Sequence, residues 1–299
     1  MKKKVLSRNA LIFLALVYLF ACSKNGQTEE VFPEKVNIDS ILRQESPAGI
    51  LPEGSSNMQC PNGPKYKDSL IYNESKSGKD HIVKPLNDPG AGKYYSWPQG
   101  LVLDSLSGSI NVTKSETGLR YIVAFVKIGT KDTCLQTLIL SGASYVDSIH
   151  ILGKNQTTAQ PYFDANLQTS SICIANPDED DDDDDDGNDK CEFSTSNKKV
   201  KIKSISGTID LKKTLENEAF GRNPVNGTAI RVSVYYKLND KSSKALQKMD
   251  VQMVYYEKKS QVPQAVVDYV QQKRSNIINQ QLISVKGNPR PPLIVITRS

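Results

Sequence analysis

The chain has 299 residues, with 38 Lys or Arg against 33 Asp or Glu, and 38% of it is hydrophobic. That length accommodates two domains with a core each, and the apolar content excludes wholesale disorder. Five cysteines without a C-x-x-C pair, together with only two histidines, argue against a zinc module.

Residues 1–21 place Lys2, Lys3, Lys4 and Arg8 ahead of an apolar run from Leu11 to Ala21. A basic start followed by a run too short for a membrane span reads as a secretory signal. Its end, Leu19-Phe20-Ala21-Cys22, resembles a bacterial lipobox. The resemblance implies cleavage before Cys22, acylation of that cysteine and anchoring in the bacterial outer membrane, on its periplasmic or cell-surface side. Two or three acyl chains anchor stably where one does not. Residues 22–58, with Pro33, Pro47 and Pro52, have little to pack and are expected to form a flexible tether.

The next stretch, 59–142, reads as a first β module. Ser69–Tyr72 and His81–Lys84 are short strand-like runs, and Asp88–Gly92 is a turn. From Trp97 the chain runs W-P-Q-G-L-V-L-D-S-L-S-G-S-I-N-V, a strand, a turn at Ser107-Gly108 and a second strand. Asp104 is placed to hydrogen-bond the turn backbone, and Gly108 to take a conformation that a side chain penalises. This string resembles bacterial Ig or cadherin-like modules of Bacteroidetes-like lipoproteins, with the pattern P-x-G-L-x-L-D-x-x-S/T-G-x-I. Pro98, Gly100, Leu101, Leu103, Asp104, Ser107, Gly108 and Ile110 fit it. Tyr121–Ile128 and Leu135–Leu140 then read as a hairpin.

An echo of the motif, S-I-S-G-T-I-D-L-K-K-T, runs from Ser204 to Thr214, with five of eleven positions identical when Ser204 is set on Ser105. Gly207 takes the place of Gly108. The chain therefore reads as two copies of one unit. The second module is placed at 143–262, with strands at Val146–Leu152, Ile230–Leu238 and Met249–Tyr256 and an acidic insertion at 176–190. Beyond it, 263–299 is set apart as a helix starting at Pro263 and a terminal strand, Leu293–Thr297. The fold class that follows is all-β: two tandem Ig-like or cadherin-like β-sandwich modules with a short C-terminal helix.

Apart from Cys22, four cysteines remain, an even number that suits an oxidising compartment. Cys60 with Cys134 and Cys173 with Cys191 are the expected disulfides, one bracketing the first module and the other the acidic run. Within that run Asp182, Asp184, Asp186 and Gly187 satisfy D-x-D-x-D-G, the opening of many calcium loops. Phe193 stands where an EF-hand needs its bidentate Glu, which leaves a looser calcium loop or a hydrated acidic segment. No other cofactor is expected. His150, near Asp147 and Ser148, is expected to face solvent, because successive strand residues point to opposite faces and the three cannot converge as a triad. Asp39-Ser, Asp68-Ser, Asp104-Ser and Asp147-Ser, each followed by an aliphatic residue, match the O-glycosylation acceptor of Bacteroidetes-like bacteria.

Residues 193–299 carry 19 Lys or Arg against 7 Asp or Glu. Such an excess on an exported chain points to polyanionic glycans rather than nucleic acid, to the acidic run of the same chain, or to a solvated basic surface. The expected function is a non-enzymatic, lipid-anchored adhesion or ligand-binding stalk with a glycan or envelope protein as partner. A glycan-capture accessory lipoprotein is the second reading and an unrecognised hydrolase the third.

Overall fold

The structure is a computed structural model that describes residues 34–36, 56–57, 63–76, 78–97, 100–129, 133–168, 172–173, 191–278 and 291–299. Strands dominate. The first eight are β1 (Glu34–Val36), β2 (Ser56–Asn57), β3 (Leu70–Ile71), β4 (Ile82–Val83), β5 (Gly92–Trp97), β6 (Ile110–Asn111), β7 (Leu119–Lys127) and β8 (Thr133–Leu140).

In the first sandwich β2, β8, β7 and β5 form one sheet, with β3 parallel to β8, and β4 pairs with β6 opposite. β7 is a strand because five of its nine residues are β-branched or aromatic, and such side chains fit a pleated surface. Its alternate residues Leu119, Tyr121, Val123 and Phe125 enter a core with Tyr66, Tyr94, Ile110, Val112, Leu138 and Leu140. The β7–β8 hairpin pairs Leu119 with Leu140 and Val126 with Thr133.

The second sandwich opens with β9 (Ala143–Tyr145), β10 (Ser148–Ile151), β11 (Thr158–Ala159) and β12 (Pro161–Phe163). After the acidic insertion come β13 (Glu192–Thr195), β14 (Lys201–Ile202), β15 (Ile209–Asp210) and the helix α1 (Leu211–Glu216). Asp210 caps α1 by accepting the Lys213 N–H at 2.8 Å. The chain continues through β16 (Thr228–Lys237), β17 (Gln247–Tyr256), α2 (Gln264–Ile278) and β18 (Leu293–Thr297).

The main sheet of this sandwich runs β1-β16-β17-β18-β10, with β13 also on β16. Its inner face buries Ile230, Val232, Val234, Tyr236, Met249, Val251 and Met253. On the other face α2 lays Val266 and Val270, four residues apart, over Ala229, Val254, Tyr256, Leu293 and Val295.

Two expectations need correcting here. The tether, 22–58, is not free throughout. β1 pairs antiparallel with β16, and β2 pairs parallel with β8, because a sheet edge offers unpaired N–H and C=O groups to any extended segment. Nor does 263–299 stand apart. β18 lies inside the second sheet, parallel to both β17 and β10, and Leu293 to Thr297 are all buried. Burying each of its four aliphatic side chains stabilises the sheet by about 2 kcal/mol.

Candidate functional site

The two motif turns superpose bond by bond. In the first, the Asp104 N–H donates to Ser109 O at 2.8 Å and the Gly108 N–H to Asp104 O at 2.9 Å. In the second, the Lys203 N–H donates to Thr208 O at 2.9 Å and the Gly207 N–H to Lys203 O at 3.0 Å. The strand before each turn docks alike, since the Tyr94 N–H donates to Ser105 O at 2.8 Å and the Phe193 N–H to Ser204 O at 2.6 Å. After each turn a hydroxyl closes the corner: Ser115 Oγ donates to Asn111 O at 2.7 Å and Thr214 Oγ1 to Asp210 O at 2.6 Å.

Asp104 takes the role its position suggested, its carboxylate accepting the N–H groups of Leu106 at 3.0 Å and Ser107 at 2.7 Å. Those bonds, the Ser107 N–H first, hold its carboxyl below the usual carboxylate range. Gly108 and Gly207 have φ of +68° and +69°. Each also sits under an aromatic ring: an added Cβ would lie 2.5 Å from Tyr94 at Gly108 and 2.7 Å from Phe193 at Gly207.

A second pair of contacts escaped the sequence reading. The Tyr66 hydroxyl donates to Gly108 O at 2.6 Å, and the Tyr145 hydroxyl donates to Gly207 O at 2.5 Å. Burial, and then a neighbouring tyrosine, push both phenols above their ordinary value. The signal was present, because Tyr66-Lys-Asp-Ser-Leu and Tyr145-Val-Asp-Ser-Ile are a further repeat. Two of the Asp-Ser pairs read as glycan acceptors therefore occupy equivalent places in the two sandwiches. Ser69 and Ser105 are exposed, Ser148 is half-buried and hydrogen-bonded, and Ser40 lies outside the described residues.

His150 does not face solvent. It is half-buried on β10, and its Nε2 lies 2.8 Å from Ser148 Oγ, two residues away on the same face. Burial first, and Arg274 second, hold its imidazole below the ordinary histidine value. Asp147 points the other way, fully buried, where it accepts the Leu293 N–H at 2.7 Å and pairs with Lys273 Nζ at 2.9 Å. Triad convergence therefore fails for the expected reason, while full solvent exposure fails because β10 is flanked by β18, which pairs His150 with Ile296 and leaves the ring half-buried.

Cys173 and Cys191 form a disulfide at an S–S distance of 2.08 Å, and Cys134 is also disulfide-bonded. Cys22, Cys60, Asp182, Asp184 and Asp186 lie outside the described residues. Among the described residues, no group of three or more His, Cys, Asp or Glu side chains is placed to hold a metal ion.

Between the sandwiches only Ser141 and Gly142 separate β8 from β9. The Tyr236 hydroxyl reaches across this joint to Thr117 Oγ1 and accepts the Ala143 N–H at 3.2 Å. Asp164 accepts the Gly142 N–H at 3.0 Å and returns its own N–H to Gly142 O at 2.9 Å. Lys241 lies over the Tyr72 ring at 5.6 Å, and Ser141 Oγ donates to Asp240 at 3.3 Å. Gly142 is confined from both sides, since a Cβ there would lie 2.8 Å from Thr117 and 2.7 Å from the Tyr236 hydroxyl.

The part of the main sheet that α2 leaves open is polar, and its cations lie in ion pairs. Asp250 holds Arg231 at 2.8 Å, Lys248 at 3.5 Å and the Ser233 hydroxyl at 2.6 Å. Burial would raise its carboxyl, but the Ser233 and Arg231 bonds outweigh burial and lower it. Lys237 pairs with Glu192 at 2.7 Å.

This is a strand-dominated protein of several packed sheets with few helices. No family model matches the chain, and no curated protein does. Among solved structures it is similar to a SusE-like surface-located polysaccharide-binding protein from the Bacteroides thetaiotaomicron heparin utilisation locus, at 14% identity and a TM-score of 0.23. That match covers 62% of this chain and 32% of the other. A human protocadherin-24 EC1-2 structure matches at 7% identity over 65% of this chain and 98% of its own, with a TM-score of 0.21. Extracellular domains 3–5 of Drosophila OTK match at 11% identity over 66% and 62%, with a TM-score of 0.18.

Proposed function

We propose that this chain is a lipid-anchored protein of the bacterial outer membrane that acts as a ligand-binding or adhesion stalk. The joint carries this reading. A two-residue connection pinned by Tyr236, Asp164 and Gly142 couples the sandwiches, so a ligand bound on one is presented by both, as a stand-off surface requires. The lipobox-like Leu19–Cys22 supplies the anchor. Fractionation tests it: wild type is expected in the detergent phase with label from palmitate, and Cys22→Ser is expected uncut and unlabelled. Acyl labelling that persists in Cys22→Ser defeats the anchor.

A second reading, glycan capture, is favoured by the uneven charge of the chain, 19 basic against 7 acidic residues in 193–299. A positively charged exported surface raises the local concentration of anionic polymers. Binding of the full chain to a panel of charged and neutral polysaccharides tests it. Retention of none of them would rule it out.

A further inference from the structure

We propose that the exposed lysines around α1, namely Lys199, Lys201, Lys212 and Lys213 with Lys198 beside them, bind a polyanionic polysaccharide, an inference that rests on the glycan-capture reading and gives it a place. The first sandwich serves as an internal control. Register fixes the equivalences, because Ile82 pairs with Asn111 as Thr158 pairs with Asp210. The Val112 N–H donates to His81 O at 2.9 Å, and the Leu211 N–H donates to Thr157 O at 2.8 Å. Lys213 thus corresponds to Lys114, and Gln156 to Asp80.

Where the second sandwich has Lys199, Lys201 and Lys212, the first has Gly100, Val102 and Thr113. Both build the same corner, as Val102 N–H donates to Ser115 Oγ at 2.9 Å and Lys201 N–H to Thr214 Oγ1 at 3.0 Å. The corner therefore does not need the lysines. The one lysine of the first sandwich at these positions is neutralised, Lys114 pairing with Asp80 at 2.8 Å. In the second sandwich an uncharged Gln156 stands in place of that carboxylate.

All five lysines are exposed, and none forms an ion pair with a described carboxylate. Arg231, Lys237 and Lys248 on the open sheet face each lie within ion-pair distance of a carboxylate, Arg231 and Lys248 sharing Asp250. The nearby acidic groups are Asp210, whose carboxylate caps α1, and Glu216, which leave the lysines in surplus. Asn217, at the end of α1, donates to Lys199 O at 3.3 Å and ties the helix lysines to those of the turn before β14. Lys199 stands in the turn that leads into β14, and Lys201 is the first residue of that strand. A row of cations of this kind suits a linear chain of anions.

The occupant follows from what else the surface carries. Among the described residues the exposed large hydrophobic ones are Ile82, Leu86, Val102, Leu106, Ile128, Leu167, Val225 and Leu246, and none is next to these lysines in the chain. A membrane-docking surface inserts apolar side chains, and a single-stranded nucleic acid site stacks bases on aromatic ones. A polyanionic polysaccharide needs neither.

The test uses the full chain with heparin as a sulfated probe, polygalacturonate as a carboxylate probe, dextran as a neutral one, and vesicles of phosphatidylglycerol in phosphatidylcholine. Wild type is expected to bind at least one anionic polymer, weakening as salt rises, and not dextran. The quadruple Lys→Ser variant at 199, 201, 212 and 213 should bind about tenfold or more weakly with an unchanged melting temperature. Gln156→Glu, which restores the carboxylate of the first sandwich, should weaken binding about threefold, whereas Lys248→Ser should not. Anionic binding retained by the quadruple variant overturns this site and leaves glycan capture standing. Equal binding of dextran overturns the charge argument alone, and binding of no polysaccharide overturns both. Lysine-dependent binding to the vesicles alone replaces the polysaccharide with a membrane and overturns the proposal.

Discussion

The hydroxyl of Tyr145 donates to the carbonyl of Gly207 at 2.5 Å, as Tyr66 donates to Gly108 at 2.6 Å, so each sandwich fastens its motif turn to the strand segment that opens it. These bonds span 62 and 42 residues. They hold a buried carbonyl that would otherwise lack a partner. Tyr145→Phe is expected to destabilise the protein by about 1–3 kcal/mol, the penalty for an unsatisfied buried acceptor. Tyr66→Phe should cost a similar amount, and the two should add, because they act in separate cores. Urea unfolding of the single and double variants checks this, and a double variant no worse than either single would show that the two locks are not independent.

Glycine is demanded more strongly at the turns than at an open loop. Gly108→Ala and Gly207→Ala combine a left-handed backbone with a Cβ driven into Tyr94 or Phe193, and each is expected to cost about 2 kcal/mol or more. Gly129 has φ +81° but open space around it, so Gly129→Ala should cost only about 1 kcal/mol. Thermal melts of the three variants give the ranking.

The pair of Asp147 and Lys273 clamps the C-terminal segment. Lys273 also donates to Pro291 O at 3.1 Å, just before β18. Lys273→Met leaves the Asp147 carboxylate buried without its counter-charge and is expected to cost about 3–5 kcal/mol. Adding Asp147→Asn should recover part of that loss. A double-mutant cycle in urea measures the coupling, and a coupling near zero would remove the clamp from the account.

The depressed imidazole of His150 makes stability depend on pH. In the unfolded chain the ring titrates at its ordinary value, 6.5, and in the folded protein below it. Between those two values the unfolded state binds more protons. Stability is therefore fully present above pH 6.5, falls as pH drops through the window and levels off below the folded value. Melting temperatures from pH 8 to pH 5 should show this fall in wild type and a smaller one in His150→Gln.

By itself the sequence determined what short-range chemistry determines. The runs Leu119–Lys127 and Thr228–Lys237 are rich in β-branched and aromatic residues, the Ser-Gly turns carry their own hydrogen-bonding side chains, and Pro263 opens α2 on an apolar stripe. The repeat of the turn was legible because identical local geometry selects similar residues twice. Only the tertiary structure decided which distant segments meet. β18 is an apolar strand by composition, but nothing in Leu293–Thr297 says that it enters between β17 and β10. His150 appeared exposed because its alternation with Ile149 and Ile151 describes one strand, whereas it is half-buried in a sheet where β10 pairs with β18, more than a hundred residues later. Nor could the surplus of lysines be placed from the count of charges. Pairing with carboxylates depends on distances of a few ångströms across the sheet, and these exist only once the register is set.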